Sequence, residues 1–214
     1  MRRRRALTAA ACLLMGLGLW QAASGGYIHA KAWLAQGLID QAWARVQAGE
    51  AHARPWPWAD TWPVARLELP SLDAALTVLA GGSGRTMAFG PGHVDGSALP
   101  GEAGISLIAG HRDTHFRLLE ALRVGDDIGI EDSSGLHHSF RVTSFQVVDS
   151  RRVRIDPHGD TPRLALSTCY PFDALTTGGP LRYVVFADAV TPGRTHMRPL
   201  VARDILDFDT VSPN

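Results

Sequence analysis

The chain has 214 residues, with 21 Lys or Arg and 21 Asp or Glu, so its formal net charge at neutral pH is zero. Such a balance excludes the basic excess typical of nucleic-acid binding proteins, and we expect no nucleic-acid partner. A terminal targeting segment and a linker would leave roughly 150 residues, which suits one domain.

The N-terminus carries the first strong signal. Arg2 to Arg5 precede an uncharged stretch of 25 residues from Ala6 to Ala30. As a helix this stretch would reach about 37 Å, longer than a bilayer core of about 30 Å. The arginines should remain cytoplasmic, which predicts a single-pass membrane anchor at 1–30 and an extracytoplasmic remainder. A cleavable signal peptide is the alternative, because Ala22 to Ser24 are small residues of the kind that precede cleavage sites.

Residues 31–63 are predicted to form a helix and then a linker. Apolar residues such as Ile39, Trp43 and Val46 recur near the helical period between His29 and Ala51. Three prolines then alternate with three tryptophans: Pro55, Trp56, Pro57, Trp58, Trp62 and Pro63. The prolines favour an extended linker. Its tryptophans could bind a partner, lie at the lipid interface or pack on the domain.

Beyond the linker, short runs rich in Val, Ile, Leu and Phe are separated by Gly, Pro or Asp, a pattern typical of strands. The predicted strands are Val64 to Leu69, Leu76 to Ala80, Ile105 to Ala109, Asp127 to Glu131, Ser139 to Val148, Leu164 to Thr168 and Leu181 to Ala189. One short helix is expected near Phe116 to Leu122. About seven or eight strands predict an all-β fold with short helices, a closed or nearly closed β-barrel over 64–192, with a C-terminal tail at 193–214.

Cys169 is the main candidate for chemistry, because it is the only cysteine outside the N-terminal apolar run. Cys12, the other cysteine, lies within that run, so we expect no intramolecular disulfide and a free thiol in an oxidising compartment. A neighbouring imidazole is the usual means of making a thiol reactive, and His111 is the candidate. Arg182 carries a permanent charge on a planar fork of donors that suits an oxyanion.

Each of these residues also has a structural alternative. A single cysteine is often a small buried hydrophobe. Arg182 could form an ion pair with Asp188 or Asp173.

The remaining histidines point less clearly to chemistry. His111 and His115 have a metal-like spacing, but no third ligand is evident and Arg112 occupies the position of a zincin glutamate, so no metal is predicted. His93 lies in a Gly-Pro-rich loop that it could anchor, or it could face a groove. We expect His137 and His138 to face solvent. No phosphate-binding or dinucleotide motif is present, and no cofactor is expected.

Several segments together resemble the sortase family. Leu166-Ser167-Thr168-Cys169 resembles the sortase signature at a strand end, which is followed by an arginine on the next strand. The run from Gly90-Pro91-Gly92-His93 through Leu99-Pro100-Gly101 to Ala109-Gly110-His111-Arg112 is similar to the sortase segment that leads to the catalytic histidine. The resemblance covers roughly Leu67 to Ala189. Ser167 departs from many members, but the adjacent Thr168 and Cys169 match.

The resemblance implies a membrane-anchored cysteine transpeptidase with a closed barrel. His111, Cys169 and Arg182 would be catalytic, and Thr168 would contribute to substrate and oxyanion binding. The partners implied are an exported protein with a C-terminal sorting signal and an amine nucleophile on the cell envelope, besides membrane lipid. The basic residues from Arg151 to Arg154 favour a solvated loop, although the resemblance implies that the loop in this region helps to hold the sorting peptide.

Three other functions remain open. A hydrolytic cysteine peptidase would share the same cysteine and histidine. An L,D-type peptidoglycan transpeptidase is disfavoured, because the Ser-X-Gly-Cys-X-Arg context of its cysteine is absent. A non-catalytic exported β-barrel that binds a peptide or a protein would leave Cys169 merely buried.

Overall fold

The computed structural model describes residues 2–174 and 178–190. It contains a long first helix, eight strands and a short second helix. These are α1 (Arg2–Gln47), β1 (Pro63–Leu69), β2 (Ala74–Ala80), α2 (Gly84–Met87), β3 (Gly92–His93), β4 (Gly104–Ala109), β5 (Asp127–Asp132), β6 (His137–Asp149), β7 (Pro162–Cys169) and β8 (Leu181–Ala189). Two 3-10 helices span Pro70–Leu72 and Arg117–Ala121. The predicted tail at 193–214 lies outside the described residues.

The eight strands form a closed barrel in the order β1-β2-β3-β4-β7-β8-β6-β5, which confirms the predicted barrel. β5 pairs with β1 and closes the sheet. The pairs β2–β3 and β4–β7 are parallel, and the other neighbouring strands are antiparallel. Because β4 and β7 run in the same direction, their C-terminal ends lie at the same rim of the barrel. The N-terminal end of β8 lies there too.

Alternation along the strands builds the core. In β1 every second residue is buried, and Ala65, Leu67 and Leu69 face the barrel interior. Burial of an aliphatic side chain of this size contributes about 1.5–3 kcal/mol. The other strands supply further fully buried residues: Val78, Ile108, Ile128, Ile130, Phe140, Val142, Leu164, Leu166, Val185 and Ala187. The closed sheet thus encloses a continuous apolar core.

All seven predicted strands lie within observed strands, which extend at most two residues further at either end. β3 and α2 were not predicted. β3 has two residues and lies among glycines and prolines, so it has no alternation to detect. Gly92 is required there, since a Cβ would collide with the carbonyl oxygen of Gly81. The helix expected near Phe116 to Leu122 is a short 3-10 helix.

The C-terminal part of α1 packs on the barrel through one helical stripe. Its buried residues are Ala35, Ile39, Ala42, Trp43 and Val46. Hydrogen bonds add two links: Gln36 donates to the carbonyl of Phe89 at 2.7 Å, and Gln47 donates to that of Asp132 at 3.0 Å. This part confirms the helical pattern expected between His29 and Ala51, although Trp33 and Leu34 remain exposed.

The N-terminal part of α1 continues the same helix and exposes a set of apolar side chains, namely Leu13, Leu14, Met15, Leu17, Leu19 and Trp20. Among the described residues, no helix combines the length and the apolar character needed to cross a bilayer. The anchor expected at 1–30 is therefore not shown.

The proline- and tryptophan-rich linker packs in part on the domain. Trp56 contacts Phe89 edge to face at 4.9 Å between ring centroids, and Trp62 contacts His52 at 4.4 Å. Trp58 is 82% exposed. Trp56 therefore follows the packing alternative, whereas the ring contact of Trp62 is with His52 in the segment before the linker.

Candidate active site

Three neighbouring strands bring the predicted catalytic residues to one rim of the barrel. Cys169 ends β7 and is the register partner of Arg182 at the start of β8. The backbone N–H of Tyr170 donates to the Leu181 carbonyl at 3.1 Å. Hydrogen-bonded and non-hydrogen-bonded pairs alternate between antiparallel strands, so Cys169 and Arg182 form a non-hydrogen-bonded pair. In such pairs the Cα atoms are about 4.5 Å apart and the side chains are close.

His111 reaches the same rim from β4. The parallel register pairs Ala109 with Ser167, and the backbone N–H of Gly110 donates to the Ser167 carbonyl at 3.0 Å. His111 therefore follows β4 at the same rim of the barrel at which Cys169 ends β7. The sequence suggested this adjacency but could not establish it.

Alternation places the cysteine and the arginine on the outer face of the barrel. Leu164 and Leu166 of β7, like Val185 of β8, point into the core. Cys169 and Arg182 have the opposite parity and therefore point outward. Cys169 is a free, partly exposed thiol, which disfavours the buried-hydrophobe alternative.

The turn after β4 depends on Gly110. The backbone N–H of Phe116 donates to the His111 carbonyl at 3.1 Å, which folds the turn back over the barrel. Phe116 is fully buried, and a Cβ on Gly110 would lie 2.7 Å from its ring. Glycine at 110 therefore lets the turn close while His111 stays exposed.

Arg182 bonds to backbone and makes no ion pair with Asp188. Its Nη1 donates to the carbonyls of Gly179 at 2.7 Å and Leu181 at 2.9 Å. Asp188 instead pairs with Arg163 at 2.7 Å. Within the described ranges, Nε and Nη2 of Arg182 have no hydrogen-bond partner. The guanidinium is thus held in place with donors left for a ligand.

Thr168 is buried and joins two of the strands. Its side chain is 2% exposed, and its hydroxyl donates to the Gly110 carbonyl at 2.8 Å. That hydroxyl is therefore already used to tie β7 to the residue before His111. Any contact of Thr168 with an oxyanion would come from backbone, not from the side chain.

Arg112 is a site residue that the sequence did not single out. It is only 6% exposed and lies next to His111. Its guanidinium donates to the carbonyls of Pro171 at 2.7 Å and Ala174 at 3.0 Å, and to both carboxylate oxygens of Asp113 at 2.8 and 3.2 Å. The sequence His-Arg-Asp could have indicated the contact between Arg112 and Asp113. It could not indicate the two carbonyl partners, which lie 59 and 62 residues further along the chain.

The charges around this turn influence one another. The hydrogen bond to Asp113 is the main cause that raises the pKa of Arg112; burial opposes it, and the charges of Asp113, Cys169 and Asp173 add to the rise. The same hydrogen bond is the main cause that lowers the pKa of Asp113. Burial lowers the pKa of His115, and the charge of His111 lowers it further. Arg112, Asp113 and His115 thus form a group of interacting titratable side chains around the turn that carries His111.

Aromatic rings pack beside the cysteine end of β7. Tyr183 stacks with Tyr170 at 6.2 Å and with Phe145 at 5.8 Å, and it meets Phe172 edge to face at 5.1 Å. Burial is the main cause that raises the pKa of Tyr183, so its phenol stays neutral near pH 7. These contacts hold the chain on both sides of Cys169.

The other histidines lie mostly away from this rim. His93 is buried and bonds through Nε2 to the Ala98 carbonyl at 2.9 Å, as the loop-anchoring alternative predicted. The solvent-facing prediction for His138 is wrong, because its ring lies 2.7 Å from Asp132 and is 19% exposed. His137 is 62% exposed. His93 and His138 line a cavity of about 670 Å³ at the opposite end of the barrel.

Two further observations concern bound groups and the basic loop. In the described part of the chain, no three His, Cys, Asp or Glu side chains come close enough to hold a metal ion. Arg151 pairs with Asp149 at 2.8 Å, while Arg152 and Arg154 are exposed. The loop follows β6, whose Val148 is the register partner of Arg182, so the basic segment begins near the rim.

The arrangement provides three chemical elements on one outward-facing rim. A partly exposed thiol is positioned to attack a carbonyl carbon. An imidazole just after the neighbouring strand can transfer a proton, and a guanidinium whose Nε and Nη2 have no partner among the described residues can stabilise an oxyanion. Such a set supports acyl transfer through a thioester.

Comparisons with known proteins agree with one another. A model of the Sortase domain matches residues 67–190. Sortase D of Bacillus subtilis (strain 168) is 32% identical over 126 residues, which are 58% of this chain and 63% of that protein. The match therefore spans less than two thirds of the relative's length.

Solved structures show the same fold. Sortase A from Corynebacterium diphtheriae is 29% identical with a TM-score of 0.54, over 65% of this chain and 66% of that one. Sortase C of Clostridium perfringens, solved with the C-terminal cell wall sorting motif, shares the fold at 19% identity and a TM-score of 0.54, over 75% of this chain and 90% of that one.

Proposed function

The chain belongs to the sortase family, and on this premise we propose that it is a cysteine transpeptidase that cleaves a sorting signal of exported proteins. One observation carries the proposal. Cys169 is the register partner of Arg182 on one side, and on the other side β7 pairs with β4, which ends two residues before His111. A nucleophile, a proton carrier and a fixed cation at one rim of the barrel are what thioester chemistry requires.

The first half-reaction forms the thioester. The thiolate of Cys169 attacks the carbonyl carbon of the scissile peptide bond, and the carbonyl electrons move to the oxygen. As the tetrahedral intermediate collapses, the C–N bond breaks and His111 gives its proton to the departing amine. The N-terminal part of the substrate stays bound to sulfur as an acyl group.

The second half-reaction transfers that acyl group. An incoming amine attacks the thioester carbon while neutral His111 takes one of its protons. The C–S bond breaks, a new amide forms, and the thiolate with a protonated imidazole is restored. If water attacks instead, the product is a carboxylic acid.

Arg182 would stabilise the oxyanion in both steps. Its guanidinium is held on the Gly179 and Leu181 carbonyls, so it is oriented before the substrate arrives. Donors that are fixed in advance need little reorganisation in the transition state. The backbone near Thr168 would supply further hydrogen bonding. Arg182→Lys should impair turnover, because an ammonium cannot reproduce the planar fork.

The partners follow from this chemistry. We propose that the substrate is an exported protein with a sorting signal near its C-terminus, and that the acceptor is an amine on the cell envelope. The basic loop that contains Arg152 and Arg154 begins near the rim and would contact the substrate peptide. The protein would act on the extracytoplasmic side.

Attachment to a membrane is a separate part of the proposal and rests on the sequence. Arg2 to Arg5 are followed by the 25 uncharged residues from Ala6 to Ala30. Arginines on one side of an apolar segment favour a single-pass orientation with the barrel outside the cytoplasm. Fractionation tests it: the full chain should stay with membranes after a high-salt wash, and removal of 2–30 should release it.

The functional test uses Cys169→Ala with a matched control. Cells with this variant should accumulate the unprocessed exported substrate, while the barrel unfolds at the wild-type temperature. Arg163→Lys changes a basic residue on the same outward face of β7, six residues from the cysteine, and should leave processing unchanged. Full processing by Cys169→Ala would refute the assignment.

Product analysis separates the alternatives. With a peptide substrate and an added amine, a transpeptidase forms an amide, whereas a hydrolytic peptidase forms only the acid. A non-catalytic barrel would yield neither product. In that case no acyl-enzyme on Cys169 would be found by mass spectrometry.

A further inference from the structure

We propose that Arg112 is a positioning residue: it ties the segment after Cys169 to the turn that carries His111, and it places a fixed positive charge beside the sulfur. The inference deepens the proposed function and rests on it for the consequence in turnover. The charge beside the sulfur can be tested without any substrate.

The hydrogen bonds of Arg112 span both sides of the site. Pro171 and Ala174, whose carbonyls it binds, lie two and five residues after Cys169. Arg112 itself directly follows His111. One side chain therefore connects the segments that hold the nucleophile and the proton carrier, independently of the strand pairing between β4 and β7.

The shape of the guanidinium matters for this connection. Nη1 binds the Pro171 carbonyl, Nη2 binds the Ala174 carbonyl, and Nε with Nη2 forms a fork on Asp113. Three acceptors in three directions match a planar group with five N–H donors. A lysine could keep the charge at this position but not the whole set of bonds.

Burial makes the charge effective. The Arg112 side chain is 6% exposed, whereas that of Asp113 is 61% exposed. Water screens the carboxylate more than the guanidinium, so the ion pair does not cancel the positive field at the sulfur. Nη1 of Arg112 lies 2.7 Å from the carbonyl of Pro171, the second residue after Cys169, so the guanidinium is held near the sulfur. A cation near the sulfur attracts an anionic reagent, whereas a neutral reagent is unaffected.

Arg117 offers a matched control on the same loop. Its Nη1 donates to the Phe172 carbonyl at 2.7 Å, between the two carbonyls that Arg112 binds. Its side chain is 54% exposed, so solvent screens its charge. Arg117→Gln removes one cation and one bond to the loop, without removing the buried charge.

The experiment compares two alkylating reagents that differ in charge. Iodoacetate is an anion and iodoacetamide is neutral, so a nearby cation speeds the first relative to the second. The full chain is treated with each reagent at pH 7, and the modified Cys169 peptide is quantified by mass spectrometry, which separates it from Cys12. Arg112→Gln should lower the iodoacetate-to-iodoacetamide rate ratio about threefold to tenfold, as expected for loss of one charge at close range.

The other variants separate charge from geometry. Arg117→Gln should keep the wild-type ratio. Arg112→Lys should restore the ratio but not kcat for transpeptidation, because it keeps the charge and loses the fork. Asp113→Asn should raise the ratio, because it removes the partly opposing carboxylate. This last variant changes an exposed group, and it provides the test if Arg112→Gln does not fold.

Several results would overturn the inference. An unchanged ratio in folded Arg112→Gln, or in Asp113→Asn where Arg112→Gln does not fold, would exclude the charge at the sulfur. Full kcat in Arg112→Lys would exclude the role of the fork. A wild-type protein that forms no amide refutes the proposed transpeptidase, whereas the alkylation ratios still test the charge.

Discussion

The buried hydroxyl of Thr168 allows a sharp test of how the rim is held together. Thr168→Val keeps the shape of the side chain but removes the donor to the Gly110 carbonyl. Gly110 is buried, and this hydroxyl is the partner that the described residues provide for its oxygen. The variant therefore leaves a buried acceptor without a hydrogen bond.

The size of the effect follows from that unpaired acceptor. A buried carbonyl left without a partner costs about 1–3 kcal/mol. At about 2 kcal/mol, the melting temperature should fall by about 4–8 °C for a domain of this size. Turnover should fall as well, because Gly110 directly precedes His111. Urea unfolding and thermal unfolding measure the first effect, and kcat with a sorting peptide measures the second.

Thr168→Ser is the matched control. It keeps the hydroxyl and loses one methyl group, which costs about 1 kcal/mol. The expected order of stability is therefore wild type, then Ser, then Val. If Thr168→Val were as stable and as active as wild type, the hydroxyl would not hold the turn, and our account of the rim would be wrong.

Two further predictions concern packing and pH. Gly110→Ala should destabilise the domain by about 1–3 kcal/mol, because the new methyl would lie 2.7 Å from the Phe116 ring; equal urea midpoints for wild type and variant would contradict this. For Asp132, burial is the largest influence and raises the pKa, but hydrogen bonds from Ser134, His138 and Leu136 outweigh it and lower the pKa to about 2. A carboxyl with a depressed pKa stabilises the fold above its unfolded pKa near 4, and that contribution of roughly 2 kcal/mol is lost as the pH falls from about 4 to about 2. Asp132→Asn should therefore lose less unfolding free energy between pH 5 and pH 2 than wild type, and identical losses would refute the assignment.

The strands were predictable because each carries its own local signal. In β1 and β5 the buried and more exposed positions alternate, so the alternation of apolar and polar residues is enough to predict both strands. β3 has no such period, and its place between β2 and β4 depends on contacts with distant residues. The sequence likewise predicted a helical pattern around Ile39 and Trp43. It did not predict that a single helix runs from Arg2 to Gln47.

The site divides in the same way. Cys169, His111 and Arg182 were identifiable because their residue types carry chemistry and their local motifs resemble a known family. Arg112 was not identifiable, because its role depends on hydrogen bonds to backbone carbonyls. Every residue has a carbonyl, so the sequence does not mark the partners. Which carbonyl an arginine binds is decided by the loop after β7, far along the chain. Hydrogen bonds from side chains to distant backbone carbonyls are therefore the part of this site that is hardest to predict from the sequence.

The parallel pairing of β4 with β7 explains why this barrel can place its chemistry at one rim. In an antiparallel pair the two C-terminal ends lie at opposite ends, and His111 and Cys169 would be separated by the length of a strand. In the parallel pair, His111 and Cys169 both come just after the last paired residues, Ala109 and Ser167, where the backbone N–H of Gly110 donates to the Ser167 carbonyl. Parallel strands give evenly spaced but slightly weaker hydrogen bonds. The side-chain bonds of Thr168 and Arg112 across the same junction reinforce it where the chemistry needs a fixed distance.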